Sequence, residues 1–130
     1  MPEILIVADD YTGANDTAVL MVQKGFSACT VLEEKDGSGP DAACIAVSTD
    51  SRSVSPEKAY RRVFEATRRY MREDTFLLSK RIDSTLRGNL GAEICAMLDA
   101  AGGERCALVV PTFPGASRVY KGFPSLRRAA

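Results

Sequence analysis

Residues 75–98 read TFLLSKRIDSTLRGNLGAEICAML, so that an apolar run, a polar junction and a second apolar pattern follow one another. The first run, residues 75–79, predicts a buried strand, and residues 92–98 have the spacing of a helix. Between them, residues 80–91 hold a lysine, two arginines, an aspartate, two hydroxyl side chains, an asparagine and two glycines. In α/β proteins, a polar, glycine-containing junction between a strand and a helix is a common binding site for anionic or hydroxyl-rich ligands. The junction therefore predicts an α/β fold with a ligand site in it.

The same alternation of apolar runs and helical patterns continues along the whole chain. Apolar runs predict five strands, at residues 4–8, 28–32, 43–48, 76–78 and 106–110. Helical patterns lie between most of them, at about residues 12–24, 56–72 and 89–101. Strands that alternate with crossover helices form a mainly parallel sheet. We therefore predict a three-layer α/β fold, with a mainly parallel sheet and helices on both faces.

Composition limits the possible classes of function. The chain has 130 residues, of which 45% are hydrophobic and 26% charged, as expected for a single globular domain with a real core. Lysine plus arginine equals aspartate plus glutamate at 17 each, so no overall charge favours nucleic acid or a membrane surface as a partner. No apolar run approaches the roughly 20 residues of a membrane span, and the first residues lack the pattern of a signal peptide. We therefore expect a cytoplasmic protein.

The chain contains four cysteines and no histidine. The cysteines are far apart in the sequence and each lies in an apolar segment, so we expect buried free thiols rather than a metal site, at Cys29, Cys44, Cys95 and Cys106. Because histidine is missing, proton transfer would need a carboxylate, lysine, tyrosine or cysteine. The sequence pattern assigns no catalytic residue and no metal ligand.

Polar residues follow three of the predicted strands. Asp9 and Asp10 follow the first strand, residues 49–52 follow the third, and residues 80–89 follow the fourth. Because the carboxyl ends of parallel strands meet at one edge of a sheet, we expect these clusters to converge on a single ligand site. Taken separately, each cluster is also typical of a turn or a helix cap. Residues 10–16 have neither the spacing nor the lysine of a P-loop, so a phosphate donor would have to be held elsewhere.

Four segments resemble elements of the four-carbon acid sugar kinase family. Residues 8–16, ADDYTGAND, resemble its ADDxTGAxD opening, although Tyr11 stands where leucine or isoleucine is common. Residues 49–52 resemble its TDSR element, and residues 80–89 resemble its KxIDSTLRGN element. Residues 111–114, PTFP, are similar to the proline-flanked segment after the next strand. In that family an N-terminal domain holds the acid sugar and a separate C-terminal domain holds ATP and magnesium.

The resemblance implies a domain that holds threonate, erythronate or a 2-oxo relative while one of its hydroxyl groups is phosphorylated. It implies that Asp9 or Asp10 contacts sugar hydroxyls and that Arg52 contacts the substrate. Four junction side chains would surround the carboxylate and nearby oxygens: Lys80, Asp83, Ser84 and Arg87.

The resemblance also implies what the chain leaves out. We expect residues 1–118 to form the acid-sugar-binding domain and residues 119–130 to form a divergent basic tail, with the ATP-binding C-terminal domain absent. We therefore expect no kinase activity from the chain alone. A separate ATP-binding domain and a second copy of the chain are both open as partners. The second copy is suggested by the lack of a covering helix for the predicted fifth strand and by the apolar residues that follow it: Phe113, Val119, Tyr120 and Phe123. A stand-alone sugar-acid-binding or regulatory module, and a structural fragment without a ligand, are the other hypotheses.

Overall fold

The centre of the fold is a sheet of four parallel strands. The computed structural model describes residues 3–32 and 39–118. The strands are β1 (Ile4–Ala8), β2 (Ala28–Val31), β3 (Cys44–Ser48) and β4 (Leu77–Arg81), and the helices are α1 (Tyr11–Gln23), α2 (Pro56–Tyr70) and α3 (Leu90–Ala101). The strand order in space is β2-β3-β1-β4, so β1 lies between β3 and β4.

Two apolar clusters, one on each face of the sheet, hold the helices in place. Successive side chains of a strand point to opposite faces, and β1 is buried along its whole length. On one face, Ile4 and Ile6 pack with Ala14 and Ala18 of α1. On the other face, Leu5 and Val7 belong to a cluster that includes residues of α2 and α3. The prediction of a parallel sheet covered by helices on both faces is confirmed.

Local signals set the helix starts. Asp10 caps α1, because one of its carboxylate oxygens accepts a hydrogen bond from the backbone N–H of Gly13 at 2.7 Å. Ser55 caps α2 in the same way, and Pro56 occupies the first helical position, where the fixed φ of proline suits a helix start. In α2, Thr67 is fully buried, and its hydroxyl donates to the Val63 carbonyl at 2.8 Å.

The prediction of a fifth strand is wrong. Residues 106–110 pair with no strand in the described part of the chain, and Leu108 is 92% exposed. A cleft of about 710 Å³ lies between this segment, β4 and α3. The segment therefore makes no ladder hydrogen bonds with the open edge of β4, even though its composition is that of a strand.

Two further expectations need correction. β4 ends at Arg81 rather than at residue 78, so the first two residues of the polar junction belong to the strand. Among the cysteines, all free, Cys44 is buried and Cys29 half-buried, but Cys95 and Cys106 are exposed. Burial raises the pKa of the Cys44 thiol.

None of the helices described, in residues 3–32 and 39–118, has the length and apolar character that crossing a bilayer requires.

Candidate functional site

The register of the sheet brings the three polar clusters together. Ala8, the last residue of β1, lies opposite Ser48 of β3 and Arg81 of β4. The chain therefore leaves all three strands at the same level of the same edge. The predicted convergence of residues 9–10, 49–52 and the junction is confirmed as a matter of topology.

An ion pair between Asp9 and Arg52 joins two of these segments. The Arg52 Nε donates to Asp9 Oδ2 at 2.9 Å, and its Nη2 donates to Asp9 Oδ1 at 3.2 Å. The same Nη2 lies 3.0 Å from Asp10 Oδ2. Two-point contacts of this kind are among the stronger charged hydrogen bonds in proteins, and the hydrogen bond to Asp9 raises the pKa of the Arg52 guanidinium. Asp9 is buried by the contact, whereas Asp10 and Arg52 keep part of their surface open to solvent.

Gly88 lets the junction approach this ion pair closely. Its backbone has a φ of +94°, which L side chains rarely adopt. A β-carbon at this position would lie 3.2 Å from Asp9 Oδ2 and 3.4 Å from Cγ of Arg52. Glycine at this position therefore allows both the positive φ of the turn and the close packing of the junction against Asp9 and Arg52.

A second ion pair lies within the junction itself. The Arg87 Nε donates to Asp83 Oδ2 at 2.8 Å, and its Nη2 donates to Asp83 Oδ1 at 3.1 Å. The Thr85 hydroxyl and the backbone N–H of Arg87 also donate to Asp83 Oδ2. These donors, the Arg87 side chain above all, hold the pKa of Asp83 well below its ordinary value. Asp83 is buried, and the side chain of Arg87 is 64% exposed.

A buried polar network lies beneath the two ion pairs. The Lys80 ammonium is 3.6 Å from Glu93 Oε1 of α3, and the same oxygen accepts a hydrogen bond from the Ser51 hydroxyl. The Ser51 and Thr49 hydroxyls lie 2.7 Å apart, and the Thr49 hydroxyl reaches the Ala8 carbonyl at 3.0 Å. All of these side chains are buried, and burial lowers the pKa of Lys80. Lys80 points inward because successive side chains of a strand face opposite sides of the sheet. Lys80 faces α3, and Arg81 packs near Gly13 of α1 on the other face.

The sequence prediction missed Glu93, although a signal for it was present. Glu93, Ala96 and Ala100 are buried and share one face of α3. A glutamate at a core-facing position of a helix needs a partner, because a lone buried carboxylate is costly. The prediction also left out Asn89, whose side-chain amide donates to the carbonyls of Ser51 at 3.1 Å and Val54 at 2.9 Å.

The structure places the seven predicted site residues at the same edge, but not all of them face solvent. Asp9 and Asp83 are each occupied by an arginine, and Lys80 turns inward to Glu93. Ser84 is buried and accepts a hydrogen bond from Arg118. The accessible charged groups of the set are those of Asp10, Arg52 and Arg87. The part each residue plays in ligand binding stays a prediction.

The same edge does not fit a magnesium–nucleotide site. The carboxylates of Asp9, Asp10 and Asp83 all lie against guanidinium groups, whereas magnesium needs carboxylates that are free to coordinate it. Among residues 3–32 and 39–118, no three side chains of the metal-binding types are grouped closely enough to hold a metal ion.

We expect Gly88→Ala to destabilise the protein more than a matched substitution at Gly103. Both glycines have positive φ, at +94° and +71°, but a β-carbon at Gly103 would meet no atom within 4 Å. Gly103→Ala should therefore lower the free energy of unfolding by about 1–2 kcal/mol, from backbone strain alone. Gly88→Ala should lose about 1 kcal/mol more, because the new methyl group also presses on Asp9 and Arg52. Urea unfolding followed by circular dichroism measures both, and equal losses would contradict the close packing.

We expect Asp83 to make the protein sensitive to acid. Its folded-state pKa lies below the ordinary value of 3.8, so the unfolded chain takes up the proton first. The stabilisation is therefore complete above about pH 4 and is lost as the pH falls below that value.

Urea unfolding of wild type and Asp83→Asn between pH 2.5 and 7 tests this expectation. The variant should be less stable at pH 7 but should lose less stability on acidification. Asp16→Asn removes an exposed carboxylate of α1 and should keep the wild-type pH dependence. Parallel curves for wild type and Asp83→Asn would show that the Asp83 pair does not contribute.

Comparison with known proteins agrees with the sequence resemblance. The family described as "Sugar-binding N-terminal domain" matches residues 4–122. The chain is 48% identical over 125 residues to a D-erythronate kinase of Heliobacterium modesticaldum, covering 94% of this chain and 28% of the relative. It is 32% identical over 117 residues to a D-threonate kinase of Salmonella typhimurium, covering 89% of this chain and 27% of the relative.

A solved structure from Bordetella bronchiseptica has the same fold. It is described as a domain of unknown function with bound citrate, a domain-swapped dimer, and it aligns with a TM-score of 0.70 at 36% identity, over 78% of this chain and 27% of that one. The chain thus spans less than a third of the length of these relatives. The family match over residues 4–122 confirms the resemblance drawn from the four motifs: the chain belongs to the family of sugar-binding N-terminal domains.

Proposed function

We propose that the chain binds a four-carbon sugar acid such as erythronate or threonate and holds it as the phosphate acceptor of a kinase reaction. The observation that carries the proposal is the convergence of Asp9–Asp10, Arg52 and residues 83–87 at one edge of the sheet. The names of the relatives, D-erythronate kinase and D-threonate kinase, support the choice of ligand.

The chemistry of the edge suits such a ligand. A sugar acid presents one carboxylate and several hydroxyl groups within a few ångströms. Guanidinium groups bind the carboxylate, and carboxylate oxygens accept hydrogen bonds from the hydroxyls. Asp10, Arg52 and Arg87 supply both kinds of group with part of their surface open to solvent. Because the ion pairs hold these side chains in place, little conformational entropy is lost on binding.

The phosphate donor would be bound by a different domain. The described residues do not fit a magnesium–nucleotide site, and the relatives are more than three times as long as this chain. We therefore propose that the chain supplies the acceptor half of the active site, and that ATP with magnesium is held by further polypeptide.

The ligand proposal predicts a localised response in an NMR titration. D-Erythronate or D-threonate, added to the ¹⁵N-labelled chain, should shift backbone amide signals of residues 9–13, 50–52 and 83–89. Arg52→Lys keeps the charge but loses the two-point contact with Asp9, and should weaken binding by about tenfold. Arg61→Lys, on the exposed face of α2, should bind like wild type.

Two results would contradict the proposal. Absence of shifts at millimolar ligand, or shifts at the opposite edge of the sheet, would exclude the proposed site. Steady, threonate-dependent consumption of ATP by the purified chain would show that the phosphate donor binds here after all.

We also propose that the apolar surface beside β4 pairs with a second copy of the chain. On this surface Leu77 and Leu108 are exposed and line the 710 Å³ cleft, and Phe113 of the same segment is also exposed. Exposed apolar patches of this kind mark interaction sites. The domain-swapped dimer of the Bordetella bronchiseptica relative supports a second copy as the occupant. The other residues of the predicted apolar surface, Val119, Tyr120 and Phe123, lie outside the described residues.

Size-exclusion chromatography with light scattering tests the assembly. We expect a mass twice that of the 14.0 kDa chain. Leu108→Ser should shift the protein towards monomer, because it removes an apolar side chain from the proposed interface. Leu20→Ser makes the same substitution on the exposed face of α1 and should leave the mass unchanged. A monomeric wild type would refute the proposal.

A further inference from the structure

Four arginines around the junction fall into two classes. Arg52 and Arg87 each make a two-point contact with an aspartate. Arg81 and Arg118 have no carboxylate within 4 Å in residues 3–32 and 39–118. A guanidinium that is already paired with a carboxylate gains less from a second one than an unpaired guanidinium does. The anion of a ligand therefore has the most to gain from the unpaired arginines.

Of these two, Arg118 is the more available. The Arg81 side chain packs over Gly13, is half-buried, and donates to the Ile82 carbonyl at 3.0 Å. Arg118 is exposed, and its Nη1 donates to the Ser84 hydroxyl inside the junction. A guanidinium has five N–H donors. Four of those in Arg118 donate to no atom of the described residues.

The backbone holds Arg118 at this position. The chain turns back through the short 3-10 helix Pro114–Ala116. The Phe113 N–H then donates to the Arg118 carbonyl at 2.9 Å, and the Arg118 N–H donates to the Phe113 carbonyl at 3.1 Å. The preceding Pro111 is buried. This hydrogen-bonded turn thus holds the Arg118 guanidinium beside Ser84.

We propose that Arg118 binds the carboxylate of the sugar acid and is the residue that distinguishes the acid from a neutral polyol. The proposal rests on the function proposed above and adds a carboxylate-binding residue to its site. A planar fork with free donors suits two-point recognition of a carboxylate. Arg52 and Arg87, by contrast, use two of their donors on the aspartates of the edge and keep fewer for the ligand.

The test compares an acid with its neutral counterpart. D-Erythronate and erythritol differ at one end of the molecule, where a carboxylate replaces a hydroxymethyl group. Affinities of the full chain for both are measured by NMR titration, for wild type, Arg118→Gln, Arg118→Lys and Arg105→Gln. Arg105 is the matched control, since it is also exposed, its only described contact goes to the Gly102 carbonyl, and it lies beyond the far end of α3.

We expect Arg118→Gln to bind erythronate at least about tenfold more weakly than wild type, with its affinity for erythritol unchanged. Arg118→Lys should recover part of the loss, Arg105→Gln should match wild type, and erythronate should shift the Nε–Hε signal of Arg118. Unchanged amide spectra away from residues 84 and 118 show that the variants are folded.

The remaining outcomes separate the two proposals. If wild type binds erythronate and Arg118→Gln binds it equally well, the role of Arg118 is refuted and the proposed function stands. Equal losses for the acid and the polyol also refute that role, because carboxylate recognition would then not be the cause. If wild type binds neither compound, the proposed function falls, and the role of Arg118 falls with it.

Discussion

The hydrogen-bonded register of β1 is the constraint on which the rest of the site depends. Ala8 faces Ser48 on one side and Arg81 on the other, so three segments leave the sheet at one level. The pairing with the third strand continues past its end, because the Thr49 N–H donates to the Ala8 carbonyl and the Ser51 N–H donates to the Asp9 carbonyl. This continuation brings residue 52 beside Asp9. A shift of one residue in either pairing would separate the members of both the surface and the buried networks.

Below the surface ion pairs, the fold keeps a charged pair in its interior. Burying Lys80 and Glu93 costs solvation energy, and this cost is recovered only where geometry and further hydrogen bonds are good. The Ser51 and Thr49 hydroxyls supply such hydrogen bonds and link the pair to the carbonyl of Ala8. The network therefore connects α3 to three strand ends. We interpret it as the support that fixes the height and spacing of the groups above it.

Much of the fold could be predicted from the sequence, because burial on two faces leaves a clear pattern. Residues 4–8 and 43–48 are continuously apolar, and in the structure they are the two strands covered on both sides. The segment at 106–110 has the same composition but is not a strand, since it lies across a cleft from the open edge of β4 and Leu108 is 92% exposed. The composition of a segment shows that it is able to form a strand, whereas strand formation also depends on the neighbouring strand and layer.

The candidate site could be predicted in outline but not in its contacts. Topology brings Asp9, Arg52 and Asp83 to one edge, and that follows from parallel strands alone. Which charges would satisfy one another does not follow, because it depends on distances that the sequence does not contain. The close approach of Gly88 to Asp9, where a β-carbon would lie 3.2 Å from Oδ2, likewise appears only in the structure. The burial of Glu93 could be predicted from its helix face, but its partners could not, because Lys80 and Ser51 lie 13 and 42 positions away in the chain.

The placement of Lys80 and Arg81 on opposite faces has a consequence for the natural variation of this chain. The two neighbours serve different layers, one bound to Glu93 in the interior and the other packed beside the start of α1. Gain or loss of a single codon within β4 would exchange them, turning the larger guanidinium into the interior and the ammonium towards α1. A change of one residue in the length of β4 should therefore disturb the interior network and the packing of α1 at once, and it would also displace the junction that follows.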